Sequence, residues 1–128
     1  MIEEASSRYP QVDLTRQIIG AFHEVHRNLG HGFLEKVYVS ALLKELSELG
    51  VRAVVEAPIE VKYKGETIGV YFADILVNDS VICEIKAVRQ LLPEHEAQLL
   101  HYLKATGIRV GLLLNFGASS VQVKRMVF

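Results

Sequence analysis

The sequence predicts an α/β fold built on a mixed β-sheet, and three observations predict it. Two helical stretches come first, three β-rich runs follow in quick succession, and a further helix then precedes two more strands. Short turns join antiparallel neighbours, whereas a helical connection before a continuously apolar strand is how parallel neighbours are joined. The expected order, ααβββαββ, contains both kinds of connection.

Each element has a local reason. Residues 1–10 read as a loose arm ending at Pro10, and 11–128 as a single domain. Asp13 or Thr15 can cap a first helix running to about Leu29, because Leu14, Ile18, Phe22, Val25 and Leu29 recur at helical spacing. Gly30-His31-Gly32 breaks it, and a second helix is expected from about Phe33 to Leu49, with Gly50 as the stop. Its apolar face comprises Leu34, Val37, Tyr38, Ala41, Leu42, Leu46 and Leu49. The β-rich runs are Arg52 to Tyr63, Thr67 to Val77 and Val81 to Val88, with Lys64-Gly65-Glu66 turning between the first two. Pro93-Glu94 opens a third helix that Gly107 closes after Thr106. Arg109 to Asn115 is apolar enough for a central strand, and Val121 to Val127 is a last strand.

Composition narrows the function classes. With 128 residues, 50% hydrophobic and 23% charged, the chain is sized for one core and is not a disordered segment. Its net charge of −1 lacks the basic footprint of a general nucleic-acid binder, so such a contact needs a local patch, a metal or a partner's surface. Lys62, Lys64, Lys124 and Arg125 are the visible basic clusters and read first as solvated strand edges, with phosphate contact as the second reading. No apolar run is long enough to span a membrane, and Met1-Ile2-Glu3-Glu4 does not open a signal peptide. The single Cys83 has no disulfide partner, which fits a reducing cytoplasm and a core position. His23, His26, His31, His95 and His101 have no metal-ligand spacing. There is no Gly-rich phosphate loop, Cys-x-x-Cys pair or strand-turn-helix nucleophile.

The chemistry concentrates in Asp74 and in Glu84-Ile85-Lys86, which interrupt apolar strand-forming runs. Taking such charges out of water costs several kcal/mol unless they are paired or bind a metal. Asn78-Asp79-Ser80 signals a turn, so 70–77 and 81–88 are expected to form an antiparallel hairpin. A three-residue loop sets Val77 against Val81 and Asp74 against Glu84, with Cβ atoms roughly 4.5–5.5 Å apart. Alternation puts Lys86 on the Glu84 face, with Cys83 and Ile85 on the other. Two opposed carboxylates repel unless a cation lies between them, and this arrangement points to metal-dependent phosphodiester chemistry.

Two further polar residues fall in unexpected places. At ~100° per residue, Glu35 lies within the apolar arc of the second helix. It is either a solvated first-turn acid favoured by the helix dipole or an acid reaching toward the metal site. Glu45 lies in the same arc, so an inward acid is not unique. On the third helix, His95, Gln98, Tyr102 and Ala105 share one side and Leu99, Leu100 and Leu103 the other. Gln98 and Tyr102 either satisfy buried backbone groups or, for Gln98, hold a water, a phosphate oxygen or the Lys86 amine.

Gly32-Phe33-Leu34-Glu35-Lys36-Val37-Tyr38 matches the motif of the GxxExxY proteins. Ala73-Asp74-Ile75-Leu76-Val77, Glu84-Ile85-Lys86-Ala87, Gln98-Leu99-Leu100-His101-Tyr102-Leu103 and Gly111-Leu112-Leu113-Leu114-Asn115-Phe116-Gly117 resemble its later blocks in order, over residues 14 to 128. That family is placed among the PD-(D/E)xK nuclease-like proteins of restriction-endonuclease-like fold. The resemblance implies that Asp74 and Glu84 bind Mg²⁺ (or Mn²⁺) and that Lys86 orients or activates the attacking water. It also implies that Glu35 is the acid contributed by an N-terminal helix, and that Gln98 belongs to the helix motif after the core. On this reading the backbone carbonyl of Ile85 completes the metal set.

The resulting expectation is an Mg²⁺-dependent nuclease acting on DNA or RNA. Its rivals are a non-catalytic nucleic-acid-binding or assembly module of the same fold, and a structural ion-pair network of Glu84, Lys86 and Glu35. The short length, apolar content and edge strand at Val121 to Val127 further suggest a homodimer.

Overall fold

The computed structural model describes residues 10–117, 119 and 121–128, so nearly all of the expected N-terminal arm lies outside the described residues. The elements are α1 (Val12–Leu29), α2 (Glu35–Glu48), β1 (Ala53–Tyr63), β2 (Glu66–Val77), β3 (Val81–Lys86), α3 (Pro93–Thr106), β4 (Val110–Asn115) and β5 (Gln122–Val127). They form a five-stranded sheet in the order β1-β2-β3-β4-β5. Only β3 and β4, joined through α3, run parallel; the other neighbours are antiparallel. This is the expected α/β architecture and element order.

Helices cover the sheet on two sides, and each side has its own core. Ile18, Phe22 and Val25 of α1 pack with Tyr38, Leu42 and Leu46 of α2 over Ile75, Cys83, Ile85, Leu112 and Leu114. Leu99, Tyr102 and Leu103 of α3 pack with Ala57, Ile59, Ala73, Ile82 and Leu113. The alternation along β3 follows directly: Val81, Cys83 and Ile85 face one core and Ile82 the other. Each fully buried Leu or Ile contributes roughly 1.5–3 kcal/mol. Cys83 is completely buried, and burial pushes its thiol pKa up, so it is a core residue rather than a nucleophile.

The boundaries depart from expectation where side chains take over backbone partners. α1 begins at Val12 after Gln11, whose φ is 60° and whose side chain makes no capping bond, so neither Asp13 nor Thr15 is the cap. The Thr15 hydroxyl donates to the Val12 carbonyl instead. α2 begins at Glu35 rather than Phe33. The Tyr38 hydroxyl accepts the Phe33 N–H (3.2 Å) and donates to the Gly30 carbonyl (2.7 Å), tying residues 30–33 outside the helix. The buried face of α2 is also narrower than its apolar arc: Tyr38, Leu42 and Leu46 are buried, while Leu34, Val37 and Leu49 are exposed.

The hairpin is corrected most. Val77 does face Val81, as a three-residue loop requires, with Asn78 and Asp79 at positive φ. Yet the ladder between β2 and β3 runs only from Val77↔Val81 to Ile75↔Cys83 and does not extend over 70–77 and 81–88. β1 and β2 continue paired as a ribbon as far as Tyr63↔Glu66, beyond the short β3. α3 packs against Ala57, Ile59 and Ala73 on one face of that ribbon. Ile68, Val70 and Phe72 of β2 remain exposed.

Candidate metal centre at the fork of β2 and β3

The sheet forks at Asp74. There the two carboxylates replace the next ladder bonds: Glu84 Oε2 accepts the Asp74 N–H at 2.9 Å, and Asp74 Oδ2 accepts the Ile85 N–H at 2.7 Å. These two bonds hold the acids side by side. Opposite on β1, Glu56 between the pairs Val55↔Ile75 and Ala57↔Ala73 has φ 51°. The strand side chains change cores at the same level, since Ala73 belongs to the α3 core and Ile75 to the other.

Burial makes this pair electrostatically expensive. Glu84 is only 3% exposed and Asp74 is half-buried. Loss of water pushes the Glu84 carboxyl up to about 7 from 4.5. The Asp74 charge adds to this, and the Asp74 N–H and Lys86 oppose it. Asp74 is also raised, first by desolvation; the Ile85 N–H and Lys86 pull the other way, and Glu35 and Glu56 add to the rise. Lys86 stands half-buried at the end of β3, close enough for its charge to act on both acids, but makes no ion pair within 4 Å among the described residues.

Glu35 is the first residue of α2 and is exposed, so it lies at the rim rather than in the interior, although its charge reaches both acids. Tyr38, one turn further on, sets the start of that helix. Its ring stacks on Phe116 at 4.3 Å and 10°, and its hydroxyl clamps Gly30 and Phe33. Gln98 is exposed on α3 and bonds to neither Lys86 nor the acids. It lines a groove of about 1230 Å³ between α3 and the ribbon, as does Tyr102. The acids do not line that groove; Tyr102 connects the two places. Its phenol pKa is raised by desolvation first and then by Glu84 and Asp74.

Several residues that shape the site were not singled out from sequence. Asn115, fully buried at the end of β4, donates to the Val88 carbonyl (2.9 Å) and to Gln122 Oε1 (2.8 Å). Its Oδ1 accepts the N–H groups of Val88 (3.0 Å) and Gly117 (2.9 Å). These bonds explain why β3 stops at Lys86 instead of Val88: the Asn115 side chain takes both Val88 backbone groups. The available signal was a lone amide ending the apolar run Val110 to Leu114. Glu56, an acid in an apolar strand beside Asp74, carried a similar signal.

Among the described residues no three His, Cys, Asp or Glu side chains gather as a ready-made metal set. The acid pair nevertheless fits a divalent ion. Asp74 and Glu84 each commit one oxygen to a backbone N–H and have no cationic partner within ion-pair distance among the described residues. A hard ion that retains most of its waters is held by one or two carboxylates.

The forked sheet between helical layers, with paired acids and a Lys on adjoining strands, defines a restriction-endonuclease-like core. The chain belongs to the PD-(D/E)XK nuclease superfamily, whose sequence profile matches residues 12–126. Proteins of this superfamily generally use divalent metals. A solved structure described as "Crystal structure of SSO0001" superposes with a TM-score of 0.54 at 20% identity, over 97% of this chain and 59% of that one. This likeness is one of fold, and the chain spans less than two thirds of that protein's length. Comparison with curated proteins gives no match. No helix among the described residues is long and apolar enough to cross a membrane.

Proposed function

We propose that this chain is a divalent-metal-dependent nuclease that hydrolyses phosphodiester bonds, acting as one nuclease-like domain over residues 11–128. The observation that carries the reading is the Asp74–Glu84 pair, in which Glu84 accepts the Asp74 N–H and Asp74 accepts the Ile85 N–H, desolvated beside Lys86. Asp74 and Glu84 would hold Mg²⁺ or Mn²⁺, with the Ile85 carbonyl as a third donor. The ion, when bound, supplies Lewis acidity and charge neutralisation at a phosphate. Lys86 orients the attacking water and steadies the charge that develops on the phosphate oxygens. Glu35 borders the site as a further acid that can order solvent, and Gln98 faces the substrate from α3. The GxxExxY assignment gains support from the structural parts of its motif: Glu35 opens α2 and Tyr38 anchors it.

Calorimetric titration with Mg²⁺ tests the site. Wild type is expected to bind saturably, with binding lost in Asp74→Asn and Glu84→Gln. Absence of binding both alone and with added oligonucleotide would remove the metal centre from the account. A second reading, a non-catalytic nucleic-acid-binding or assembly module of the same fold, draws on the length of 128 residues, which leaves little surface for a duplex beyond the site. Lys86→Ala separates the two, because a catalyst loses turnover while a binder retains affinity. We further propose a homodimer through the outer edge of β5, which among the described residues pairs only with β4. Light scattering that gives a monomer mass at high concentration would remove it. The one cysteine, fully buried, is compatible with the cytoplasm.

A further inference from the structure

We infer that the groove between the β1–β2 ribbon and α3 receives an unpaired strand of nucleic acid, with a base stacked on Tyr71. This rests on the nuclease reading and adds the form of its substrate. The groove, about 1230 Å³, is larger than a pocket for one small ligand, typically ~300–1,000 Å³. Tyr71 presents an aromatic ring that is 54% exposed, while Tyr102 beneath it is 7% exposed. Their ring centroids are 5.9 Å apart at 40°, so Tyr102 backs Tyr71 and limits the positions its ring can take. A supported, half-exposed aromatic face is what an unstacked base requires; in a duplex the base faces are covered by their neighbours.

Charge points the same way. Lys62 and Lys104 on the groove wall are matched by Glu60 and Glu94. Duplex binding is driven mainly by neutralising phosphates with clustered cations. A balanced groove on a chain of net charge −1 does not supply that drive. Single-strand sites also gain from cations along the backbone, but a base stacked on an exposed ring adds a contribution that a duplex, with its base faces covered, cannot make. Geometry joins the groove to the acids. Tyr102 lines the groove and shares a core with Ala73 and Ile82, and these residues precede Asp74 and Glu84 on their strands. A strand lying on Tyr71 therefore leads past Tyr102 toward the fork.

The test is fluorescence anisotropy in EDTA with fluorescein-labelled oligothymidylate, oligouridylate and a duplex, each of about twelve nucleotides. Wild type is expected to bind at least one single strand about tenfold or more tightly than the duplex, with a shallow salt dependence. Tyr71→Ala is expected to weaken single-strand binding about tenfold, while Tyr71→Phe, which keeps the ring, stays within about twofold. Duplex binding as tight as single-strand binding, or Tyr71→Ala binding like wild type, would overturn the inference. The nuclease reading fails separately: Tyr71-dependent binding with no cleavage in Mg²⁺ retains the groove and removes the catalyst. Cleavage that needs Lys86 but is indifferent to Tyr71 does the opposite.

Discussion

Replacing Glu84 by Gln should make the metal-free protein more stable at neutral and alkaline pH, and the size of the gain follows from the fork. Folding moves the Glu84 carboxyl from 4.5 up to about 7, chiefly by desolvation and then by the Asp74 charge. At ~1.4 kcal/mol per pH unit this corresponds to about 3 kcal/mol, reduced to about 2 kcal/mol by the solvent that still reaches the half-buried Asp74 and Lys86. Between the two pKa values the folded state holds the proton that the unfolded state has released. Stability therefore falls as pH rises through that window, being fully present below about 4.5 and lost above about 7. Gln keeps an oxygen to accept the Asp74 N–H, now at 2.9 Å, and carries no charge. Urea unfolding followed by circular dichroism in EDTA at pH ~5 and ~8 measures the difference. Wild type should lose about 2 kcal/mol more than Glu84→Gln over that interval. Parallel pH curves for the two proteins would refute the electrostatic account of the fork.

Three other outcomes follow from the same geometry. Saturating Mg²⁺ should restore wild-type stability at pH ~8 by about 1–3 kcal/mol and leave Asp74→Asn unchanged, measured as the shift in urea midpoint. Lys86→Ala should lower cleavage of a susceptible oligonucleotide by a factor of about 100 or more, while calorimetric Mg²⁺ binding survives. Asn115→Ala should cost about 3 kcal/mol or more. It leaves the Val88 N–H and C=O and the Gly117 N–H without their partners, at roughly 1–3 kcal/mol for each group that stays buried; thermal unfolding checks this.

The element order and the meeting of Asp74 with Glu84 were legible in the sequence because both depend on local signals. Hydrophobic periodicity gives the strands and helices, and the Asn78-Asp79-Ser80 turn sets Val77 against Val81. The hairpin's length was not legible. Continued alternation along residues 70–77 and 81–88 predicts continued pairing, whereas the strands part where the acids accept backbone N–H groups. The choice between the solvated and the inward reading of Glu35 was not legible for a related reason. A helical wheel assigns an arc but does not say where the helix starts, and Tyr38 delays that start by tying back Phe33. Asn115 acts through residues 27 positions away, which no local pattern announces.

The distant sequence blocks are coupled through one aromatic contact. Phe116, directly after β4, stacks on Tyr38 and meets Phe22 edge-on at 4.5 Å, while its N–H donates to the Lys86 carbonyl at 2.8 Å. The side chain therefore fixes the start of α2, where Glu35 stands, and the backbone fixes the end of β3, where Lys86 stands. Asn115 next to it holds Val88 and, through Gln122, reaches Leu91, so the segment leading from Lys86 to α3 is restrained from the same strand end. Gly117 completes the packing: a Cβ there would lie within 2.3 Å of the Val88 backbone N and O atoms, contacts that a rigid backbone cannot relieve. Asn115-Phe116-Gly117 ties the end of β3, which carries Lys86, to the start of α2, which carries Glu35. Changes at these three residues should therefore disturb the acid–Lys geometry without removing any group that performs chemistry.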